Sequence, residues 1–237
     1  MKAIQFEIMG QWAHFKRPET NNNPLSHDVI TKTALIGMMG AVLGIERADM
    51  KPMFPQFSDD LLYNVTLLNA VKKTSVGLTS RKAISTTDAP TPRSFEIIKD
   101  PHYLITLALC NARSESWFDQ FVISLKEGLS VYPPVLGWHN CPAELRFICE
   151  GEVSGQEMDG DFETAGFVKT SDCIPINIYE NFRIGFDKLP TFQNDDFWNF
   201  PERYVQIVYP DFPNKLQVSG KYREFRSEGN VQQLCLI

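Results

Sequence analysis

Apolar and polar residues alternate from the first positions: Ile4, Phe6 and Ile8 are separated by Gln5 and Glu7, the period of a half-buried strand over residues 3–9, which Gly10 ends. The next twenty residues, through Val29, hold two prolines, three consecutive asparagines and a basic pair. That is the composition of a long loop, and loops of this length are commonly functional. Thr31 or Thr33 can then cap a helix running to about Glu46, in which Ala34, Gly37, Ala41 and Gly44 fall three and four apart on one face. Each glycine inside a helix costs about 1 kcal/mol relative to alanine, so this small-residue face is expected to lie very close to its own sheet.

The period of two returns at Tyr63, Val65, Leu67 and Val71, predicting a second strand over 61–73, and a third follows over 102–110. Between them, residues 72–93 carry Lys72, Lys73, Arg81, Lys82 and Arg93 against Asp88 alone, an excursion that is polar on both faces and reads as a projecting hairpin. Ser114 or Ser116 caps a second helix marked by Trp117, Phe118, Phe121, Val122 and Leu125, and Gly128 stops it. Leu145, Phe147 and Cys149 alternate in a fourth strand over 143–150. The order β-α-β-insertion-β-α-β predicts an α+β, ferredoxin-like domain over 1–152, with the hairpin inserted at about 72–101. Glu152, Glu157, Asp159, Asp161 and Glu163 then read as a solvated acidic loop. Short strands at 174–179, 182–186, 204–209 and 221–225 predict a small β-rich C-terminal extension over 153–237.

With 237 residues, 43 % hydrophobic and 22 % charged, the chain can bury one large core or two small ones. The longest apolar run, Ala34–Ile45, is too short for a bilayer, and the N-terminus lacks the apolar region of a signal peptide. A cytoplasmic protein without a membrane partner is expected. Five cysteines without a C-x-x-C pair read as reduced thiols. His139 and Cys141 supply two metal ligands where four are needed, and Gly37 and Gly40 lie within the helix instead of the turn before it. Neither metal nor nucleotide cofactor is therefore expected. The net charge of −6 conceals an asymmetry: residues 1–93 carry 11 Lys and Arg against 8 Asp and Glu, and the remainder is strongly acidic. Only the first part offers a face to a polyanion, and local cations, not the global sum, govern that binding.

In the first loop Gln11, Trp12, His14, Phe15, Lys16 and Arg17 alternate aromatic with polar or basic groups, a combination suited to unpaired nucleotides. The alternative is that Trp12 and Phe15 anchor the loop while Lys16 and Arg17 are ordinary solvated charges. Lys32 and Thr33 stand at the start of the first helix, where unsatisfied N–H groups favour a phosphate. Arg81 and Lys82 fall near the hairpin tip. In Tyr132-Pro133-Pro134-Val135-Leu136-Gly137-Trp138-His139, Gly137 permits a turn that brings backbone or Trp138 against a ligand. For a metal-free ribonuclease, His27, Lys32 and His139 form a conceivable catalytic set. A protein-only scaffold, its basic hairpin docked on an acidic partner, is a third reading.

The stretch Trp12-Ala13-His14-Phe15-Lys16-Arg17-Pro18, followed by Thr33-Ala34-Leu35-Ile36-Gly37-Met38-Met39-Gly40-Ala41-Val42-Leu43-Gly44, resembles the N-terminal signature of the CRISPR-associated RAMP proteins, specifically CRISPR-associated protein family five. Tyr132–Gly137 running into Pro142-Ala143-Glu144 is similar to that family's second stretch. The resemblance implies a RAMP fold with a β-hairpin thumb. It also implies a subunit of type I Cascade that caps the crRNA 5′ handle, contacts the backbone RAMP subunit, helps seat the large subunit and meets target DNA only through the complex. His14, Lys16, Arg17, Lys32, Thr33, Arg81, Lys82, Gly137, Trp138 and His139 become its RNA-binding candidates. Relatives of type I-C cut precursor RNA with a tyrosine, a lysine and a histidine, but the segment before the helix here, Leu25-Ser26-His27-Asp28-Val29-Ile30, has no tyrosine. The signature is more similar to type I-B relatives, which hold the RNA without cutting it.

Overall fold

Strand β1 (Lys2–Met9) follows the alternation, with Ile4, Phe6 and Ile8 fully buried, in a computed structural model that describes residues 1–80, 91–177, 182–194 and 200–237. After the short β2 (Trp12–Ala13) and the first loop, the Thr31 hydroxyl accepts a hydrogen bond from the Ala34 N–H (3.2 Å) and opens helix α1 (Lys32–Leu43). Gly44 ends it with φ 72°, a left-handed conformation that favours glycine. Helix α2 (Arg47–Asp60) leads into β3 (Leu61–Leu67), and β4 (Lys72–Ser80) pairs with β5 (Thr91–Lys99). Strand β6 (His102–Leu109), helix α3 (Glu115–Glu127), stopped by Gly128, and β7 (Glu144–Val153) follow. Then come β8 (Met158–Thr164), β9 (Val168–Lys169), β10 (Cys173–Pro175), β11 (Ile184–Phe192), β12 (Arg203–Pro210), β13 (Leu216–Ser227) and β14 (Asn230–Leu234).

The architecture is mixed α/β and rich in sheet. Strand β1 lies between β6 and β7, antiparallel to both, and β3 pairs with β6, giving the local order β7-β1-β6-β3. Ile4, Phe6 and Ile8 face α1 and α3; Phe6 meets Phe121 edge-on with ring centroids 5.6 Å apart. The sheet continues past β7 into β13, through Phe225 opposite Val153, and β13 also pairs with β8, β10 and β14. Two smaller sheets complete the described structure. One joins β11, β12 and β9; the other joins β2 to the β5-β4 hairpin. Arg81 and Lys82, assigned to the hairpin tip, lie outside the described residues.

Several expectations are corrected. The second strand ends at Leu67 because the Asn69 side chain accepts from the Ala70 N–H and donates to the Asp100 carbonyl, turning the chain before β4. The small-residue face of α1 does not lie on the sheet; Leu35, Ile36, Met38, Met39 and Val42 do that. On that face, a Cβ at Gly37 would lie 3.9 Å from Phe54 of α2 and one at Gly44 2.8 Å from Val131 after α3; next to it, Gly40 admits Met50 of α2, whose Sδ would stand 2.5 Å from a Cβ there. Helix α2 has no sequence signal because Pro52 and Pro55 interrupt it, and buried Met50 and Phe57 hold it instead. Ser114 precedes α3, but its hydroxyl donates to the buried Asp60 carboxylate (2.6 Å) and makes no cap bond. The acidic segment is largely strand β8: Asp159, Asp161 and Glu163 point to solvent while Phe162 and Thr164 turn inward. The 178–179 end of one expected strand lies outside the described residues.

One side chain joins three parts of the chain. Asn64 on β3, buried, donates through Nδ2 to the carbonyls of Phe167 (2.9 Å) and Cys235 (2.6 Å). Asn64→Ala strands both acceptors, so it is expected to cost about 2 kcal/mol and lower Tm by roughly 4–8 °C. Thermal denaturation that leaves Tm unchanged rejects this accounting.

Candidate nucleic-acid interface

The first loop is a pair of extended arms. The His27 N–H donates to the Phe15 carbonyl (2.8 Å), the Arg17 N–H to the Leu25 carbonyl (2.8 Å), and Lys16 bridges to Ser26. The outgoing arm lies against the glycine turn, where the His14 N–H donates to the Leu136 carbonyl (3.0 Å). At Gly137, φ is 82° and a Cβ would stand 2.3 Å from the His14 carbonyl oxygen, so only glycine lets the two segments touch. The loop also lies on the hairpin base. The Ser26 N–H donates to Glu96 Oε1 (3.1 Å), and Lys73 Nζ binds the same oxygen (2.9 Å) and Asp28 Oδ1 (2.5 Å).

Three regions picked out in the sequence meet in one open cleft of about 420 Å³. Lys16 enters it from the first loop, Thr31 and Thr33 from the start of α1, and Gly137 from the turn. Phe54, Pro190 and Phe200 supply apolar walls and Gln193 a polar one; sequence reasoning missed all four. Residues this far apart share no spacing rule, and the C-terminal segment gave only strand and turn signals.

The candidates differ in what their side chains are free to do. Lys16 is exposed at the cleft. His14 is buried beside it, with Nδ1 2.7 Å from the Glu96 carbonyl oxygen. Burial pushes its pKa down, so at neutral pH it is an uncharged imidazole that offers a phosphate no charge. Arg17 turns away: Nη2 lies 3.2 Å from Asp187 and Nε donates to the Ser26 carbonyl (3.3 Å). Trp138, expected against a ligand, stacks on Phe95 of the hairpin with centroids 5.2 Å apart and planes within 1°. It locks the turn to the hairpin base. His139 is exposed, its ring edge-on to Trp138.

His27 is only 1 % exposed, and its Nδ1 lies 2.9 Å from Asp187 Oδ1. Burial of the Asp187 carboxyl opposes ionisation, but bonds from His27 and the Asp28 N–H, together with Arg17, hold it below the usual carboxylate range. Lys32 is buried, with Cys110, Arg203 and Asp59 as its charged or polarisable neighbours. None of His27, Lys32 and His139 lines the cleft. The set conceivable for a ribonuclease is therefore not gathered there: the first two are buried in the interior and the third is exposed outside the cleft.

The sheet itself offers no stacking platform over its central strands. With Ile4, Phe6 and Ile8 on the helices, the opposite face of β1, β3 and β6 presents Gln5, Glu7, Asn64, Thr66, Leu104 and Thr106. Glu7 is paired there with Arg146 (2.6 Å) and His102 (2.8 Å). Sheet-face readers of RNA place aromatic rings at such positions. Among the described residues, no helix is long and apolar enough to cross a membrane, and no group of three or more His, Cys, Asp or Glu side chains is placed to hold a metal.

A mixed α/β chain whose loop, helix start and glycine turn converge beside a hairpin is matched over residues 3–164 by the family model described as CRISPR-associated protein (Cas_Cas5), and the chain belongs to that family. No curated protein sequence matches it. Its fold is similar to the crystal structure of a CRISPR protein from Archaeoglobus fulgidus, at 12 % identity and TM-score 0.60, covering 98 % of both chains. It is similar too to a chain of a CRISPR RNA-guided surveillance complex, at 15 % identity and TM-score 0.51, covering 88 % of this chain and 90 % of that one.

Lys32 carries a cost that pH exposes. Burial drives its pKa down to about 8, and a cation at a helix N-terminus also opposes the helix dipole. Between pH 8 and the unperturbed value of 10.5 the unfolded chain binds more protons, so stability rises with pH across that window, and below it the penalty is complete. Lys32→Met is expected to stabilise the protein at pH 7 by on the order of 2 kcal/mol and to abolish the rise. Melting curves from pH 7 to 10 check this; a less stable variant at pH 7 rejects it.

Proposed function

We propose that the protein is a non-catalytic RNA-binding subunit of a CRISPR effector complex, of the type I-B-like Cascade kind, that holds the 5′ handle of the crRNA. The observation that carries the proposal is the convergence of Lys16, the start of α1 and Gly137 in one cleft. A phosphate meets the Lys16 ammonium, the Thr33 hydroxyl and the first N–H groups of α1, while Phe54, Phe200 and Pro190 offer flat apolar surface to a base. A base can use such walls only when unpaired, which favours single-stranded RNA over duplex.

Family membership and the order β7-β1-β6-β3, with a helical crossover in each half, support a ferredoxin-like RAMP core with β4-β5 as its thumb. In this reading the backbone subunit and the large subunit of the complex are protein partners, and target DNA is met through them. The separation of His27, Lys32 and His139 from the cleft favours holding RNA over cutting it. Phosphate contacts position the strand, and sequence preference comes from base edges.

The test is binding of repeat-derived single-stranded RNA to the purified protein across a salt series, with EDTA present. Lys16→Ala is expected to weaken binding by roughly five- to tenfold and lower the salt slope by about one. Unchanged affinity and slope remove the cleft from the proposal. Cleavage of the RNA in EDTA, lost on His27→Ala or His139→Ala, replaces it with a metal-independent endoribonuclease.

A further inference from the structure

The first loop is held from behind by a residue of the β-rich part. The Asp187 side chain, on β11, has no exposed surface, and both arms of the loop converge on its carboxylate. From the outgoing arm comes Arg17 Nη2, 3.2 Å from Oδ1. From the returning arm come His27 Nδ1, 2.9 Å from Oδ1, and the Asp28 N–H, 3.1 Å from Oδ2. The Lys188 N–H fixes the carboxylate itself at 2.8 Å. Tyr209 on β12 adds a hydrogen bond to the Asp28 carboxylate.

Lys16 and Arg17 are neighbours on one extended arm, where successive side chains point to opposite sides. Arg17 is turned inward to Asp187 and Lys16 outward to the cleft. Rotating Lys16 away would pull Arg17 from a buried carboxylate, and an uncompensated buried charge is strongly unfavourable. We infer that Asp187 is a positioning residue for RNA binding, which touches no nucleotide and acts by fixing the first loop so that Lys16 faces the cleft. The inference rests on the RNA-binding reading above.

Charge alone and positioning give opposite signs for Asp187→Asn. Removing a negative charge near a polyanion site tightens binding if electrostatics is all that matters. Release of the loop weakens it. The experiment measures affinity for the repeat-derived RNA in the wild type, Asp187→Asn, Lys16→Ala and the double variant, with amide hydrogen exchange over residues 14–31 in the RNA-free protein. Expected are a three- to tenfold loss in Asp187→Asn, no further loss when it is added to Lys16→Ala, and faster exchange in the loop. That coupling between two residues without a contact is what a merely structural role would not produce.

Tighter binding in Asp187→Asn, additive losses in the double variant, or unchanged loop exchange each overturn the inference. Should Asp187→Asn fail to fold, His27→Gln breaks one of the same contacts and carries the same expectations. A wild type that binds no RNA sinks the RNA-binding reading, whereas loop exchange still decides whether Asp187 holds the loop.

Discussion

Because β1 is hydrogen-bonded along both edges and buried on its helix side, its last residues have almost no freedom, and everything that follows takes its bearing from them. Met9 pairs with His102 on one side and Glu144 on the other, and the Gly10 N–H donates to the Pro101 carbonyl (3.2 Å). The first loop therefore leaves the sheet at a fixed point between the base of the hairpin and the turn after α3. That start delivers His14 onto the glycine turn and Ser26 onto Glu96. The cleft is the space left where these segments meet the start of α1.

Cations near the cleft divide into those that build it and those that face it. Arg17 is held by Asp187 and Ser26, Lys73 by Asp28 and Glu96, and Lys32 lies inside the protein. Among the described residues of the first loop, Lys16 is the cation left turned to the cleft. The basic character of the first part of the chain thus overstates the charge on offer to a phosphate strand. Much of it neutralises the protein's own carboxylates, including one contributed by the acidic second part.

The periodicities located the strands around β1 and the two helices that cover it, because burial on one face imposes alternation or a three-to-four spacing. They missed α2, where tertiary contacts through Met50 and Phe57 outweigh two prolines, and β8, where exposed acids mask an inward face carrying Phe162. Among the candidate residues, Lys16, Thr33 and Gly137 stand together at the cleft, whereas Arg17 is paired with Asp187, Lys32 is buried and Trp138 stacks on Phe95. Side-chain direction in a loop depends on partners elsewhere in the chain. No local pattern around Arg17 or His27 announces a carboxylate at position 187.

The bond between His27 and Asp187 spans 160 positions, and β1 pairs with strands that begin at His102 and Glu144, far along the chain from it. Contacts of such separation must close large loops before they return any stabilisation, which slows folding. The first loop is made early in the chain but acquires its anchor only after β11 has emerged and docked. A chain that has paired β7-β1-β6-β3 but has not yet docked β11 lacks the carboxylate that anchors its first loop. The setting of the first loop thus depends on the docking of β11, not on the first strands alone.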